Sequence, residues 1–239
     1  MKKLGIIQPG KIGDIIICLP IAKWYYDKGY DVIWPVDRNI INNFIDYVEY
    51  VKFIPIDFDC RVAHQICFNE MCNKIIDVSF TITGASSFNS ENYLKQDLYS
   101  FDEYKYFLAD VPFEEKWNLK ITRHMDREDN LEKFHYINSP YVIIQENSSD
   151  CVRKVQWTNE TIRRIDITNA SASVFDWITV LEKAEQHILI ESAISNMVDQ
   201  LNITVPKQIL LLKNGYYGDK LNDARFRGEP VLRLNWEKI

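Results

Sequence analysis

The stretch LGIIQPGKIGDIIICLPIAKWYYDKGYDVIWPV, which runs from Leu4 to Val36, decides the fold of the first half of the chain. Leu4–Gln8 is a short apolar run that stops at a Pro-Gly turn pair, and from Ile15 to Tyr26 the apolar residues recur at helical spacing. Asp31–Pro35 has the composition of a second strand. A strand, a tight loop, a helix and a strand form a βαβ unit, whose two strands are parallel neighbours. Ligands bind parallel sheets at the carboxyl ends of the strands, which here means the loop Pro9–Asp14.

That loop lacks both common phosphate-binding motifs. A P-loop needs Ser or Thr after its Gly-Lys pair, and here Gly10 and Lys11 are followed by Ile12. The dinucleotide fingerprint needs three glycines, and the loop has only Gly10 and Gly13. The loop does contain a carboxylate, Asp14, at the start of the predicted helix. This side chain is either an acid stabilised by the helix dipole or a catalytic group.

The composition excludes several classes of protein. The 239 residues are 46% hydrophobic and 26% charged, which is typical of soluble globular proteins with one large domain or two small ones. A net charge of −6 argues against nucleic acid or an anionic membrane as a main partner. No apolar run approaches the roughly 18 residues that span a bilayer, and no signal peptide is predicted. Five cysteines at irregular spacing fit reduced thiols, so we expect a cytoplasmic location.

Polar and charged residues divide the chain into two predicted Rossmann-like domains, 1–125 and 141–239, joined by a linker over 126–140. The elements predicted in the first domain after Pro35 are a short helix (Asn39–Tyr47), a strand with an internal proline (Val51–Ile56), a helix (Cys60–Asn73), a strand (Ile75–Thr83), a polar loop (Gly84–Asn92), an aromatic-rich helix (Tyr93–Val111) and a short strand (Asn118–Thr122). The loop is either one lip of a site or a plain connection. The aromatic residues of the predicted helix Tyr93–Val111 recur at helical spacing, which favours burial in the core over contact with a ligand.

The second domain repeats the alternation of strands and helices. Its predicted strands are Tyr141–Gln145, Ile162–Ile167, His187–Ile190 and Gln208–Leu212. Polar loops are predicted over Glu146–Lys154 and Asn169–Ser173. One helix is predicted after the capping-box pair Ser173 and Asp176, and another from Ile194. The tail over Asn214–Ile239 shows no clear periodicity.

Four residues allow a metal-site hypothesis. Cys60, His64 and Cys67 share one face of the predicted helix, and Cys72 lies near its end, so zinc binding is one interpretation. The C-x-x-C spacing of zinc knuckles is missing, and free cysteines pack as small apolar side chains. We therefore favour a buried stripe and predict no metal.

The opening stretch resembles that of the heptosyltransferase-like glycosyltransferases of GT-B fold. Gly13 and Asp14, the following apolar run, and Leu19 with Pro20 match the family's pattern. The resemblance implies two Rossmann-like domains that face each other across a cleft. It also implies that Asp14 is the catalytic base, and Gly13 and Lys11 become candidates for substrate binding.

The second half carries a further resemblance to the same family. Arg153, Lys154 and Trp157 match its polar loop after a strand. The family motif D-[ST]-G-x-x-H-L-A is represented here by ESAISNMV, from Glu191 to Val198. The implied donor-binding residues are Arg153, Lys154, Glu191, Ser192, Ser195 and Asn196. The chain departs from the motif at three positions, with Glu191 in place of Asp, Ala193 in place of Gly and Asn196 in place of His.

These features together predict a nucleotide-sugar-dependent glycosyltransferase, metal-independent and inverting, that works in polysaccharide biosynthesis. The expected partners are a nucleotide-sugar, which is a substrate rather than a cofactor, and a glycan or glycolipid acceptor, with peripheral membrane contact left open and no nucleic acid. Cationic side chains and a helix start can stabilise a departing diphosphate. Two alternatives remain. The first is a binding or assembly protein with a decayed donor site, and the second is another nucleotide-dependent enzyme such as an epimerase or a dehydrogenase.

Overall fold

The computed structural model describes residues 2–79, 99–135, 137, 139–149, 151–157, 159, 161–167, 173–213 and 231–239. The chain divides into two compact units. The first comprises Met1–Thr122 with Asp223–Val231, and the second comprises Arg123–Asn222 with Leu232–Ile239. Each unit contains a parallel sheet with helices, so the predicted α/β class with two parallel sheets is confirmed.

Four parallel strands form the sheet of the first unit: β1 (Lys2–Ile7), β2 (Tyr30–Asp37), β3 (Lys52–Ile56) and β4 (Lys74–Asp77). Their order is β3-β2-β1-β4, which places the apolar strand β1 in the middle, where Leu4, Ile6 and Ile7 are completely buried. β3 is an edge strand, as its internal proline predicts. Because the strands are parallel, their carboxyl ends share one edge of the sheet.

The helices of the first unit are α1 (Ile12–Asp27), α2 (Cys60–Asn69) and α3 (Phe101–Ala109), and 3-10 turns occur at Ile41–Asn43 and Phe113–Trp117. α1 is apolar around most of its surface because it packs on the sheet and also against α3 and the second 3-10 turn. Pro20 lies inside α1 and cannot donate a backbone hydrogen bond. In the preceding turn the hydroxyl of Tyr106 donates to the carbonyl of Ile17 at 2.8 Å. A side chain of α3 thus supplies a donor next to the interrupted turn.

Some predicted elements of the first unit differ from the structure. The predicted helix Asn39–Tyr47 contains only a 3-10 turn. The predicted strand Asn118–Thr122 does not form; isolated hydrogen bonds hold this segment instead, such as the one from the Thr122 amide to the Tyr47 carbonyl. α3 begins at Phe101 because Ser100 and Glu103 form a capping box. The preference for core aromatics is confirmed for Tyr104 and Tyr106, which are buried. The loop Gly84–Asn92 and the first residues of the predicted aromatic helix lie outside the described residues.

Five parallel strands form the second sheet: β5 (Tyr141–Gln145), β6 (Arg163–Asp166), β7 (Gln186–Ile190), β8 (Lys207–Leu211) and β9 (Glu237–Lys238). Their order is β6-β5-β7-β8-β9. The helices are α4 (Met125–Phe134), α5 (Ile178–Glu182) and α6 (Ala193–Gln200), and a 3-10 turn at Val174–Trp177 precedes α5. That turn starts with the predicted capping box of Ser173 and Asp176.

The stretch predicted as a linker, 126–140, is largely the helix α4 of the second unit. Charged residues dominate it, but Leu131 and Glu128 are buried. The carboxylate of Glu128 accepts hydrogen bonds from the backbone and the hydroxyl of Thr179 and pairs with Arg123. The two buried side chains of α4 are thus one carboxylate and one leucine. A helix with so many charged residues is expected from its sequence to be exposed to solvent.

The last described segment, 231–239, is held by two buried carboxylates. In the first unit Asp102, which forms a completely buried ion pair with Lys116, accepts from the Val231 amide. In the second unit Asp199 accepts from the backbone of Arg233 and Leu234 and from the Trp236 indole. Most of the predicted tail before this segment lies outside the described residues. Among the described helices, none combines the length and hydrophobicity that a membrane crossing requires.

His187 gives the stability of the second unit a predictable pH dependence. The side chain is buried on β7, its Nε2 lies 2.9 Å from the Leu181 carbonyl, and burial lowers its pKa from 6.5 to about 4. Between these two values the unfolded chain binds a proton that the folded chain does not, so stability is lost as the pH falls. We expect His187 to cost about 2 kcal/mol at pH 5 relative to pH 7.

His187→Gln should remove this contribution while keeping a donor for the Leu181 carbonyl. In urea denaturation, the variant should lose about 2 kcal/mol less stability between pH 7 and pH 5 than the wild type does. An identical pH dependence for the two proteins would contradict the assignment.

Candidate functional site

The carboxyl edge of the first sheet holds Asp14 in a defined hydrogen-bond network. Asp14 is half-buried in the first turn of α1, where backbone N–H groups and the helix dipole favour a negative charge. The Gln8 side chain, buried at the end of β1, contacts the Gly10 carbonyl through Nε2 and reaches Asp14 Oδ2 at 3.5 Å. The indole of Trp34 donates to the Gln8 carbonyl at 3.0 Å. The predicted catalytic loop is therefore fixed from its buried side.

Lys105 completes this network from α3. Its ammonium donates to Gln8 Oε1 and to the Val78 carbonyl, both at 2.8 Å, and lies 4.6 Å from the centre of the Phe101 ring. The side chain is completely buried, and in the described part of the chain no carboxylate forms an ion pair with it. Its charge is thus compensated by neutral oxygens and a ring face. Lys105 orients Gln8, and Gln8 in turn contacts Asp14.

Cys18 lies within electrostatic reach of Lys105 and Asp14. Burial raises the pKa of its thiol to about 12. This cysteine therefore stays an uncharged thiol at neutral pH and does not act as a nucleophile.

A histidine–carboxylate pair lies at the same edge, at the end of β4. His64 Nε2 is 3.0 Å from Asp77 Oδ2, and the Ser79 amide and hydroxyl donate to Asp77 Oδ1. The sequence indicated His64 only as a metal candidate, and Asp77 was not singled out. The pairing joins α2 to a strand 13 residues further on, which no local pattern signals.

The four residues of the zinc hypothesis have other surroundings. Cys67 and Cys72 pack against Gly5, where an added Cβ would lie 2.6 Å from Cys67 Sγ and 3.3 Å from Cys72 Sγ. Cys67 belongs to an apolar cluster with Cys60 and Cys72 at its margin, and His64 pairs with Asp77. Within the described ranges no group of three His, Cys, Asp or Glu side chains is arranged to hold a metal ion. The buried stripe, which was expected to contain Ala63, Cys67 and Met71, is confirmed for Ala63 and Cys67 and is wrong for Met71, which is 78% exposed.

At the carboxyl edge of the second sheet, the start of α6 is bound to the end of β5. The Ser192 hydroxyl donates to Gln145 Oε1 at 2.6 Å and accepts from the Ile194 amide. The Ser195 hydroxyl is buried and accepts from the Ser192 amide, while Asn196 Nδ2 donates to the Ser192 carbonyl. Both hydroxyls that were predicted to face donor phosphates are therefore engaged in capping the helix.

The loop after β5 is organised around the carboxylate of Glu146. It accepts from the Lys154 ammonium at 2.8 Å and from the Val155 amide at 2.7 Å, and Arg164 lies at 3.4 Å. These contacts, that of Lys154 first, hold the pKa of Glu146 below its usual range. The Lys154 side chain is 74% exposed, so it lies at the surface although it is paired. The backbone amide of the neighbouring Arg153 donates to the Glu146 carbonyl.

Glu191 lies at the end of β7, beside β8. Its amide donates to the Leu211 carbonyl, and its carboxylate accepts from the Lys213 amide at 2.9 Å. Asn196 Oδ1 and Trp157 Nε1 are among the buried polar atoms of this unit that have no hydrogen-bond partner within the described residues. Each of these two atoms belongs to a residue that the family resemblance singles out.

The structure thus brings the predicted site residues together within each unit. Lys11, Gly13 and Asp14 lie together at the start of α1 in the first unit. Arg153, Lys154, Glu191, Ser192, Ser195 and Asn196 follow two neighbouring strands, β5 and β7, and share the carboxyl edge of the second sheet.

The fold is similar to that of solved glycosyltransferase structures. The glycosyl transferase family 9 structure from Veillonella parvula DSM 2008 has a TM-score of 0.63 at 10% identity and covers 99% of this chain and 87% of that one. The dodecameric iron-containing glycosyltransferase TibC from enterotoxigenic E. coli has a TM-score of 0.54 at 14% identity, over 88% of this chain. TibC in complex with ADP-D-β-D-heptose has a TM-score of 0.55 at 12% identity, over 88% of this chain and 58% of that one.

The likeness concerns the fold alone. This chain spans 57% of the length of TibC. Comparisons with protein-family models and with curated proteins yield no match. The predicted resemblance to heptosyltransferase-like proteins is confirmed as a resemblance of fold.

A double-mutant cycle tests the network beneath Asp14. Gln8→Leu should lower the free energy of unfolding by about 1.5–3 kcal/mol, because the buried Lys105 ammonium loses an acceptor. Lys105→Met should cost about 1–3 kcal/mol, because it leaves the oxygens of Gln8 and Val78 without their donor. The double variant should be less destabilised than the sum by about 1 kcal/mol or more in urea denaturation.

The control for this cycle is Lys52→Met, which removes an exposed lysine of the same unit and should change stability by less than about 0.5 kcal/mol. Additive effects of Gln8→Leu and Lys105→Met would show that the two side chains do not support each other.

Proposed function

We propose that the chain is a glycosyltransferase that moves a sugar from a nucleotide-sugar to a hydroxyl group of a glycan or glycolipid, without a metal ion and with inversion at the anomeric carbon. The observation that carries this proposal is the position of Asp14. It is a half-buried carboxylate, oriented by buried groups, at the carboxyl edge of a parallel sheet. The likeness of the fold to glycosyltransferases supports the same conclusion.

Asp14 is the proposed general base. The acceptor oxygen forms a bond to the anomeric carbon as the bond from that carbon to the diphosphate breaks, and the acceptor proton passes to the Asp14 carboxylate. Gln8 contacts Oδ2 from the buried side. Lys11 and Gly13, which precede Asp14 at the start of α1, are proposed to contact the substrates.

The second unit is the proposed donor side. Arg153 and Lys154 stabilise the negative charge of the departing diphosphate, aided by the start of α6 near Ser192 and Asn196. Ser195 is buried and supports that helix start. Glu191 binds hydroxyl groups of the ribose or the sugar. Because TibC was solved with ADP-D-β-D-heptose, ADP-sugars are the first donors to test, followed by UDP- and GDP-sugars.

Asp14→Asn should lower the turnover of the preferred donor about 10²–10⁴-fold and leave donor binding nearly unchanged. Asparagine has the same size but is a far weaker base. The measurement is release of nucleoside diphosphate from a panel of nucleotide-sugars, with calorimetry for binding.

The matched control is Asp27→Asn, an exposed carboxylate at the other end of α1, which should keep full turnover. Turnover of Asp14→Asn close to that of the wild type would reduce Asp14 to a helix-stabilising acid.

Two variants of the second unit should separate diphosphate binding from sugar binding. Lys154→Ala should weaken binding of a nucleoside diphosphate by about 1.5–3 kcal/mol, since a charge-assisted contact is lost. Glu191→Ala should affect the intact sugar donor more than the bare diphosphate. Lys183→Ala, which removes another exposed lysine of this unit, is the control for net charge. Equal affinities of Lys154→Ala and the wild type would mean that the diphosphate binds elsewhere.

A non-catalytic binding or assembly protein is the second candidate function. The pairing of Lys154 with Glu146 and the capping roles of Ser192 and Ser195 favour it, because these groups already have partners within the chain. Calorimetry decides between the two candidates. Absence of nucleotide binding by the wild-type chain, over a panel of bases, would favour the assembly protein.

A further inference from the structure

An exposed aromatic ring packs against the loop that leads to Asp14. Phe58 follows β3 at the carboxyl edge of the first sheet, and the side chain is 56% exposed. Its ring packs against Gly10, where an added Cβ would lie 2.6 Å from Cε2 and 2.8 Å from Cδ2. Only glycine at position 10 allows the ring this close to the backbone.

The backbone on both sides of Phe58 is fixed. The Arg38 amide donates to the Ile56 carbonyl at 2.8 Å before it, and Asp59 caps α2 directly after it, accepting from the Arg61 amide at 2.7 Å. An apolar ring is thus held at the surface by a rigid turn.

The ring and the proposed base are linked through Gly10 and the Gln8 side chain. Gln8 Nε2 contacts both the Gly10 carbonyl and Asp14 Oδ2, so the carboxylate and the glycine beneath the ring are neighbours around one amide group. Charged residues adjoin both positions in the chain: Lys11 follows Gly10, and Asp57, which precedes Phe58, forms an exposed ion pair with Arg38 at 2.8 Å. An apolar face with a polar rim matches a pyranose, which has C–H groups on its faces and hydroxyls at its edge.

We propose that Phe58 is the stacking platform of an acceptor-sugar subsite beside Asp14, with Gly10 as the residue that seats the ring. This inference rests on the proposed function, since it assigns the acceptor side of the same site. A pyranose lying on the ring has its hydroxyl edge directed toward the charged rim and the Asp14 carboxylate. The rim contains charged groups rather than a continuous apolar surface, which favours a sugar over a lipid chain.

The direct test is NMR titration of the full chain, ¹³C-labelled at its phenylalanine rings, with methyl α-D-mannopyranoside, methyl β-D-glucopyranoside and methyl β-D-galactopyranoside as probes. At least one glycoside should shift the Phe58 signal saturably. Phe58→Ala should weaken that binding about 5- to 100-fold, the range that stacking of a planar group on an aromatic ring spans. Phe58→Leu should also weaken it, whereas Phe58→Tyr should retain it.

Phe68→Ala is the matched control, because Phe68 is a 73% exposed phenylalanine near the opposite end of α2. This variant should bind the glycosides as the wild type does. Gly10→Ala should weaken binding like Phe58→Ala, since its methyl group displaces the ring. Circular dichroism of each variant verifies the fold.

The outcomes separate this subsite from the proposed function. Saturable binding at Phe58 by a chain that transfers no sugar would support the subsite and refute the transferase. Transfer that depends on Asp14 but has an unchanged acceptor KM in Phe58→Ala would refute the subsite alone. Absence of any glycoside shift at Phe58, or equal binding by wild type and Phe58→Ala, would also overturn it.

Discussion

The buried ammonium of Lys105 is the constraint on which the first site depends. A charge without solvent or a carboxylate partner is tolerated only if oxygen dipoles surround it, and the structure supplies those of Gln8 and Val78. These oxygens belong to the ends of β1 and β4, so α3 fixes the positions of both strand ends. The shape of the loop that presents Asp14 follows from that arrangement. If only some of its hydrogen bonds were formed, this buried network would destabilise the fold. The arrangement that satisfies all of its polar groups is therefore favoured over alternatives.

The polar groups of the second unit are satisfied in a different way. Glu146 gathers Lys154, Arg164 and a backbone amide, and the Ser192 hydroxyl joins the end of β5 to the start of α6. Such self-pairing stabilises a polar edge without a bound molecule. The diphosphate of the proposed donor would therefore have to compete with Glu146 for Lys154, and a nucleoside diphosphate carries more negative charge than one carboxylate.

The local spacing of apolar and capping residues predicted most helices and strands of this fold. It could not predict contacts between residues that are far apart in the sequence. The β1-α1-β2 unit and the capping box at Ser173 were predicted because each is encoded within a few residues. The stretch 126–140 was interpreted as a linker because charged residues dominate α4, and the role of Glu128 depends on Thr179, 51 residues away. Asp14 was singled out by its local motif, and its catalytic role stays a prediction. Lys105 was not singled out, because it reaches Gln8 across 97 residues of sequence.

The final segment follows the same physical rule as the loop at Asp14. Asp102 and Asp199 are almost completely buried, and a buried carboxylate requires several donors to remain charged. Neither obtains them all from its own helix: Val231 contributes an amide to Asp102, and Arg233, Leu234 and Trp236 contribute theirs to Asp199. Backbone amides keep these bonds whatever side chain they carry, so the segment tolerates changes in sequence more readily than changes in length. An insertion between Leu234 and Trp236 would separate the indole from the two amides with which it shares Asp199 and leave that buried carboxylate with fewer donors.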